Sequence, residues 1–214
     1  MSASLRSAIL DAADAIEEAR EALCLLDAAS GDGDHGVTMT IGARRVRAQL
    51  EGVASDDPEV LVRAAAIGMA GAGGAIGAIY GRGLLAIAGR LREGPDAVGG
   101  AGQLELLASA IERATVATSG LGAGPGDKTV LDALLPAAAA LEATARSGGS
   151  LRDGLAAADA AAQAGADATA GLEARIGRSA RHAEQSKGTI DPGAASLAII
   201  VHALVASALG PAEG

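Results

Sequence analysis

Apolar residues recur at steps of three and four from the start of the chain. Leu5, Ile9, Ala12, Ile16, Ala19, Leu23 and Leu26 draw one stripe, and Asp11, Asp14, Glu17, Glu18 and Glu21 lie mostly off it. That spacing predicts a first amphipathic helix from Leu5 to Leu26. Gly and Pro then cut the chain into further helical blocks at 37–53, 58–70, 75–92, 101–118, 128–147, 150–174 and 192–209. No segment alternates with period two for long enough to predict a strand. The expectation is an all-α fold: eight mostly antiparallel helices with short connections, forming one bundle or barrel over residues 1–214. Pro136 falls inside the block 128–147 and should kink that helix or mark its true start. The most apolar run, Ala194–Leu209, is short for a membrane span and carries His202, so it reads as a buried helix.

Composition sharpens this picture. About a quarter of the residues are Ala, which favours helix over strand. One Tyr and no Phe or Trp leave an aliphatic core. The net charge of −9 should repel nucleic acid and anionic lipid, and no aromatic platform exists for stacking bases. A single cysteine, Cys24, allows no internal disulfide and favours a reducing cytoplasm. It sits near the end of the first apolar stripe, as a packed small hydrophobe does. The N-terminus lacks the basic and apolar regions of a signal peptide. The longest connection, about Glu173–Asp191, is basic in an otherwise acidic chain and suits an anionic ligand.

The most informative stretch is Asp27-Ala28-Ala29-Ser30-Gly31-Asp32-Gly33-Asp34-His35-Gly36. Three carboxylates fall between the end of one predicted helix and the start of the next. Close carboxylates repel unless something positive compensates, and an all-oxygen cluster suits Mg²⁺ or Ca²⁺. The alternative is an acidic capping turn in which Asp34 caps the following helix. Gly31 to Gly36 also matches G-x-G-x-x-G, but a helix precedes it where the dinucleotide fingerprint needs a strand. Gly122 to Thr129 looks like a phosphate loop without its strand; Asp127 there reads as an N-cap for a helix from Lys128. Gly71 to Gly77 and Asp191-Pro192-Gly193-Ala194 each place small residues at a helix N-terminus, a geometry that favours phosphate.

These segments occur in an order that resembles the nucleotide-binding L subunit of bacterial dihydroxyacetone kinase. The resemblance rests on Asp27 with Gly31-Asp32-Gly33-Asp34-His35-Gly36, Gly73-Gly74-Ala75, Pro125-Gly126-Asp127-Lys128-Thr129, Ala174-Arg175-Ile176-Gly177-Arg178 and Asp191-Pro192-Gly193-Ala194. It implies an eight-helix barrel with ADP or ATP at one end. It implies two Mg²⁺ ions held by Asp27, Asp32 and Asp34. His35, Gly36, Val37, Thr38, Ala75, Ile76, Gly120, Val130, Arg178, Asp191, Pro192 and Gly193 would line the nucleotide, with Arg178 steadying the transferring phosphoryl group. Thr38, Ile76 and Val130 stand where Asn, Ser and Met are common in this family. The sugar would sit on a separate K subunit. The donor would be ATP or a phosphohistidine protein of the phosphotransferase system. A homodimer is compatible with the resemblance, as is a regulatory homologue that keeps the barrel without turnover.

Overall fold

The computed structural model describes residues 4–29, 31–94, 102–177, 180 and 183–210. Among them every regular element is helical. The first predicted helix forms as two segments, α1 (Leu5–Glu18) and α2 (Arg20–Ala28). The break is a bend at Ala19, because the Ala19 N–H still donates to Ala15 and its carbonyl still accepts from Leu23. Next come α3 (His35–Glu51), α4 (Pro58–Ala70), α5 (Gly74–Arg92), α6 (Gln103–Ser119), α7 (Leu131–Arg146) and α8 (Leu151–Ala168). A 3-10 turn at Thr169–Gly171, a single helical turn α9 (Ala183–Ser186) and α10 (Pro192–Leu209) complete the chain.

Local signals set several starts. Asp57 caps α4 ahead of Pro58, and Ser150 with Asp153 forms a capping box on α8. Each long helix packs on the next: α1 on α3, then α4, α5, α6, α7, α8 and α10, which closes against α1. The ring encloses an apolar cavity of about 300 Å³ reached by Ile16, Met39, Met69, Tyr80 and Leu197. The expected eight-helix barrel is therefore present, with α1 and α2 counting as one bent stave. α10 has the length and the mean hydropathy, 1.8, of a membrane span. The run is thus longer than predicted, although it packs as a stave between α1 and α8.

Close approach of staves depends on missing side chains. At Gly68 an added Cβ would lie 2.5 Å from the backbone nitrogen of Val46 on α3. Gly165 of α8 faces the Asp132 carbonyl of α7, where a Cβ would come within 2.3 Å. That carbonyl is the one Pro136 cannot bond, since proline has no N–H to donate back to residue 132. Pro136 thus stays inside α7, and Gly165 lets α8 cover the carbonyl it frees.

Packed neighbours joined by short links run antiparallel, and the ring has an even number of staves. The α2–α3, α4–α5, α6–α7 and α8–α10 connections therefore gather at one end of the barrel. Those four connections hold nearly every residue with predicted chemistry.

Candidate functional site

The acidic loop is built by a backbone contact. A Cβ on Gly36 would lie 2.0 Å from the Arg20 carbonyl oxygen and 2.9 Å from Cys24 Sγ. Glycine here lets the first turn of α3 press on α2, and the half-buried Cys24 is packing material in that contact. Asp27 is thereby buried beside α3, and its Oδ2 accepts the His35 N–H at 3.1 Å. Gly33 turns the chain with φ +75°, a conformation that glycine adopts freely.

Asp27, Asp32 and Asp34 each bring one carboxylate oxygen to within 4.8 Å of the others. Asp34 occupies the N-cap position of α3 without making a side-chain capping bond. The capping alternative fails for Asp34; the α3 N-terminus is served by Asp27 instead. Three hard oxygen donors fit Mg²⁺. A cradle supports the fit: a Cβ on Gly31 would meet Asp27 Oδ1 at 2.3 Å, so only glycine leaves that oxygen its place.

Most of the other predicted residues lie on the connections at the same end of the barrel. His35 and Gly36 are buried, Thr38 is half-buried and Val37 is exposed. The His35 ring Nε2 lies 3.1 Å from Ser196 Oγ of α10. Tyr80 OH of α5 lies 3.2 Å from the same oxygen, and Ser196 Oγ donates to the Gly193 carbonyl. Burial drives the Tyr80 phenol well above its ordinary range, so it stays a neutral hydrogen-bonding group. A Cβ on Gly193 would lie 3.4 Å from the Val130 nitrogen. His35, Val130 and Gly193 are thus joined through short contacts.

Ala75 is exposed and Ile76 half-buried at the start of α5, behind the left-handed pair Gly73 and Gly74. Gly120 caps the C-terminus of α6 and faces the Arg82 guanidinium. Arg178 lies outside the described residues.

Asp191 is buried and caps α10, accepting the Ala194 N–H at 2.8 Å. Burial pushes its carboxyl up to about 6, against the pull of the Ala194 N–H and Lys128. The loop before α7 departs from expectation. Asp127 accepts from Gly124 N–H at 2.8 Å and does not cap α7; Asp132 accepts from Gly126 and Thr129 instead. α7 starts at Leu131 because Lys128 has φ +61°, outside helical space. The predicted helix 150–174 likewise ends at Ala168, followed by the 3-10 turn, where Thr169 turns its hydroxyl back to the Ala166 carbonyl. Reading by motif passed over Lys128, although its Pro-Gly-Asp-Lys-Thr setting marked it. Ser196 and Thr169 carried no local signal.

Comparison with known proteins gives the family and the fold. The model of the DAK2 domain matches residues 29–206. The chain belongs to the DAK2-domain family. Asp27 falls two residues before the matched segment and joins it through the carboxylate cluster. The D-erythrulose kinase of Mycolicibacterium smegmatis is 38% identical over 193 residues, covering 87% of this chain and 32% of that protein. The PEP-dependent dihydroxyacetone kinase 2 ADP-binding subunit DhaL of Listeria innocua is 33% identical over 132 residues, covering 59% of this chain and 58% of that one. The crystal structure of the dihydroxyacetone kinase from C. freundii in complex with AMP-PNP and Mg²⁺ superposes with a TM-score of 0.71 at 27% identity, over 95% of this chain and 33% of that one. The chain therefore spans about a third of the length of the erythrulose kinase and of the C. freundii kinase. The DAK2-domain family and the dihydroxyacetone kinase fold agree with the resemblance to the dihydroxyacetone kinase L subunit that the motifs carried.

Proposed function

We propose that this DAK2 chain is the Mg-nucleotide subunit of a split ketose kinase, acting on dihydroxyacetone or a related ketose held by a separate K subunit. The observation that carries the reading is the convergence of Asp27, Asp32 and Asp34 at the barrel end where the site loops gather. In this reading the three aspartates hold two Mg²⁺ ions. Bound there, the metal ions would offset charge on the nucleotide phosphates. His35, Gly36, Val37 and Thr38 offer the α3 N-terminus, and Ala75 and Ile76 the α5 N-terminus. The positive ends of both helix dipoles thus face phosphate. Val130 and the Asp191-Pro192-Gly193 turn form the opposite wall, Gly120 completes the rim, and Arg178 steadies the transferring phosphoryl group.

The named relatives favour this reading, one being an ADP-binding subunit and another a kinase crystallised with AMP-PNP and Mg²⁺. The phosphoryl donor is free ATP or a phosphohistidine protein that recharges bound ADP, and the chain works in the cytoplasm. The test is reconstitution. Rigorously purified chain should leave dihydroxyacetone and erythrulose unphosphorylated, and adding a cognate K subunit with ATP or the phosphoprotein donor should give turnover. Sustained phosphorylation by the chain alone contradicts the split-enzyme reading.

A further inference from the structure

Lys128 is the one non-glycine residue with left-handed backbone among the described residues, at φ +61°. Such a conformation is strained for a residue with a side chain, where glycine adopts it freely. The backbone therefore does not select lysine; the side chain must. That side chain is buried, with 3% of the residue exposed. Its Nζ donates to the Thr169 carbonyl at 2.6 Å and to the Thr189 carbonyl at 2.5 Å. Burial lowers the amine's pKa, while the Asp191 and Asp132 carboxylates act to keep it charged.

The two carbonyls flank the segment that leads into α10. Thr169 opens the 3-10 turn that follows α8, where its carbonyl also accepts the Leu172 N–H at 3.0 Å. Its hydroxyl accepts the Asp191 N–H at 2.8 Å. Thr189 stands two residues before Asp191. One ammonium thus fastens both approaches to the Asp191-Pro192-Gly193 turn. The same loop carries Val130, whose nitrogen lies against Gly193.

We infer that Lys128 is a positioning residue, a clamp that holds the Asp191–Gly193 turn against Val130 and so sets one wall of the nucleotide site. The inference rests on the nucleotide-binding reading of that site. A purely structural lysine would add stability and leave the affinity of the folded protein alone; a clamp changes the affinity of molecules that remain folded.

The experiment uses the full chain, with Lys128→Met to remove the ammonium and Lys128→Gly to remove it while relieving the backbone. Calorimetry with Mg·ADP, well below the melting temperature, is paired with amide hydrogen exchange read by NMR. The clamp predicts at least tenfold weaker Mg·ADP binding in both variants. It also predicts at least tenfold faster exchange of the Asp191 amide, with α4 amides unchanged. Wild-type affinity and wild-type Asp191 protection in a folded variant overturn it. Loss of folding in both variants assigns Lys128 to the fold alone and also overturns it. If the unmodified chain itself fails to bind Mg·ADP, the nucleotide reading falls first, a result separable from failure of the clamp.

Discussion

Asp191 should make the stability of this chain depend on pH in a direction opposite to that of ordinary paired carboxylates. Its carboxyl is buried at the N-cap of α10 and is raised from 3.8 to about 6, chiefly by burial. The folded chain keeps this proton up to about pH 6, whereas the unfolded chain releases it near 3.8. Between those values the folded state binds more protons, so stability falls as pH rises. The contribution is fully present below the unfolded value and is lost as pH rises through about 6. A gap of about two units at about 1.4 kcal/mol each amounts to about 3 kcal/mol over the full range. From pH 7.5 down to pH 5.0, close to half of it should develop, about 1.4 kcal/mol. Asp191→Asn keeps an oxygen for the Ala194 N–H and removes the titration. Urea unfolding of both proteins at constant ionic strength reads the difference directly. Wild type should gain about 1.4 kcal/mol on the variant between those two pH values. Parallel stability profiles, differing by a constant offset, would refute the burial argument.

Three further substitutions follow from the packing and the site. Gly165→Ala drives a methyl toward the Asp132 carbonyl and should cost about 1–3 kcal/mol in denaturant unfolding. Gly89→Ala, in open space on α5, should instead be neutral or gain up to about 1 kcal/mol; equal effects at the two positions contradict the close-approach account. Ile76→Ser restores a hydroxyl at the start of α5. It should tighten Mg·ADP binding by about one to two orders of magnitude if a hydrogen bond to a charged group is regained. A gain of twofold or less in calorimetry shows that Ile76 does not weaken the site.

Periodicity marked the first stave, and Gly and Pro divided the rest of the chain into the other seven, because the barrel is closed by neighbours in sequence joined at such breaks. Punctuation marked the starts of α4 and α10, where Asp-Pro supplies both cap and first residue. It misplaced α7 and the end of α8 for one shared reason. The side chain of Lys128 crosses to carbonyls 41 and 61 residues away, and local sequence carries no sign of such a partner. The acidic cluster was legible because its members lie within eight residues of sequence. Its cap was not, since Asp27, the furthest of the three from α3, takes the His35 N–H that Asp34 was expected to serve. The link from His35 through Ser196 to Tyr80 joins three staves and exists only once the ring has closed.

The central claim is that Asp27, Asp32 and Asp34 hold Mg²⁺ for a nucleotide. The measurement is the shift in melting temperature caused by ADP, taken with Mg²⁺ and again with EDTA, for the wild type and for Asp32→Ala, at an exposed position of the loop. At ADP near 100 times its dissociation constant, binding adds about 2.7 kcal/mol. For a chain of this size that raises the melting temperature by about 5–10 °C. The account predicts this shift for the wild type with Mg²⁺, and its absence in EDTA and in Asp32→Ala. An equal ADP shift in EDTA, or one that survives in Asp32→Ala, contradicts it.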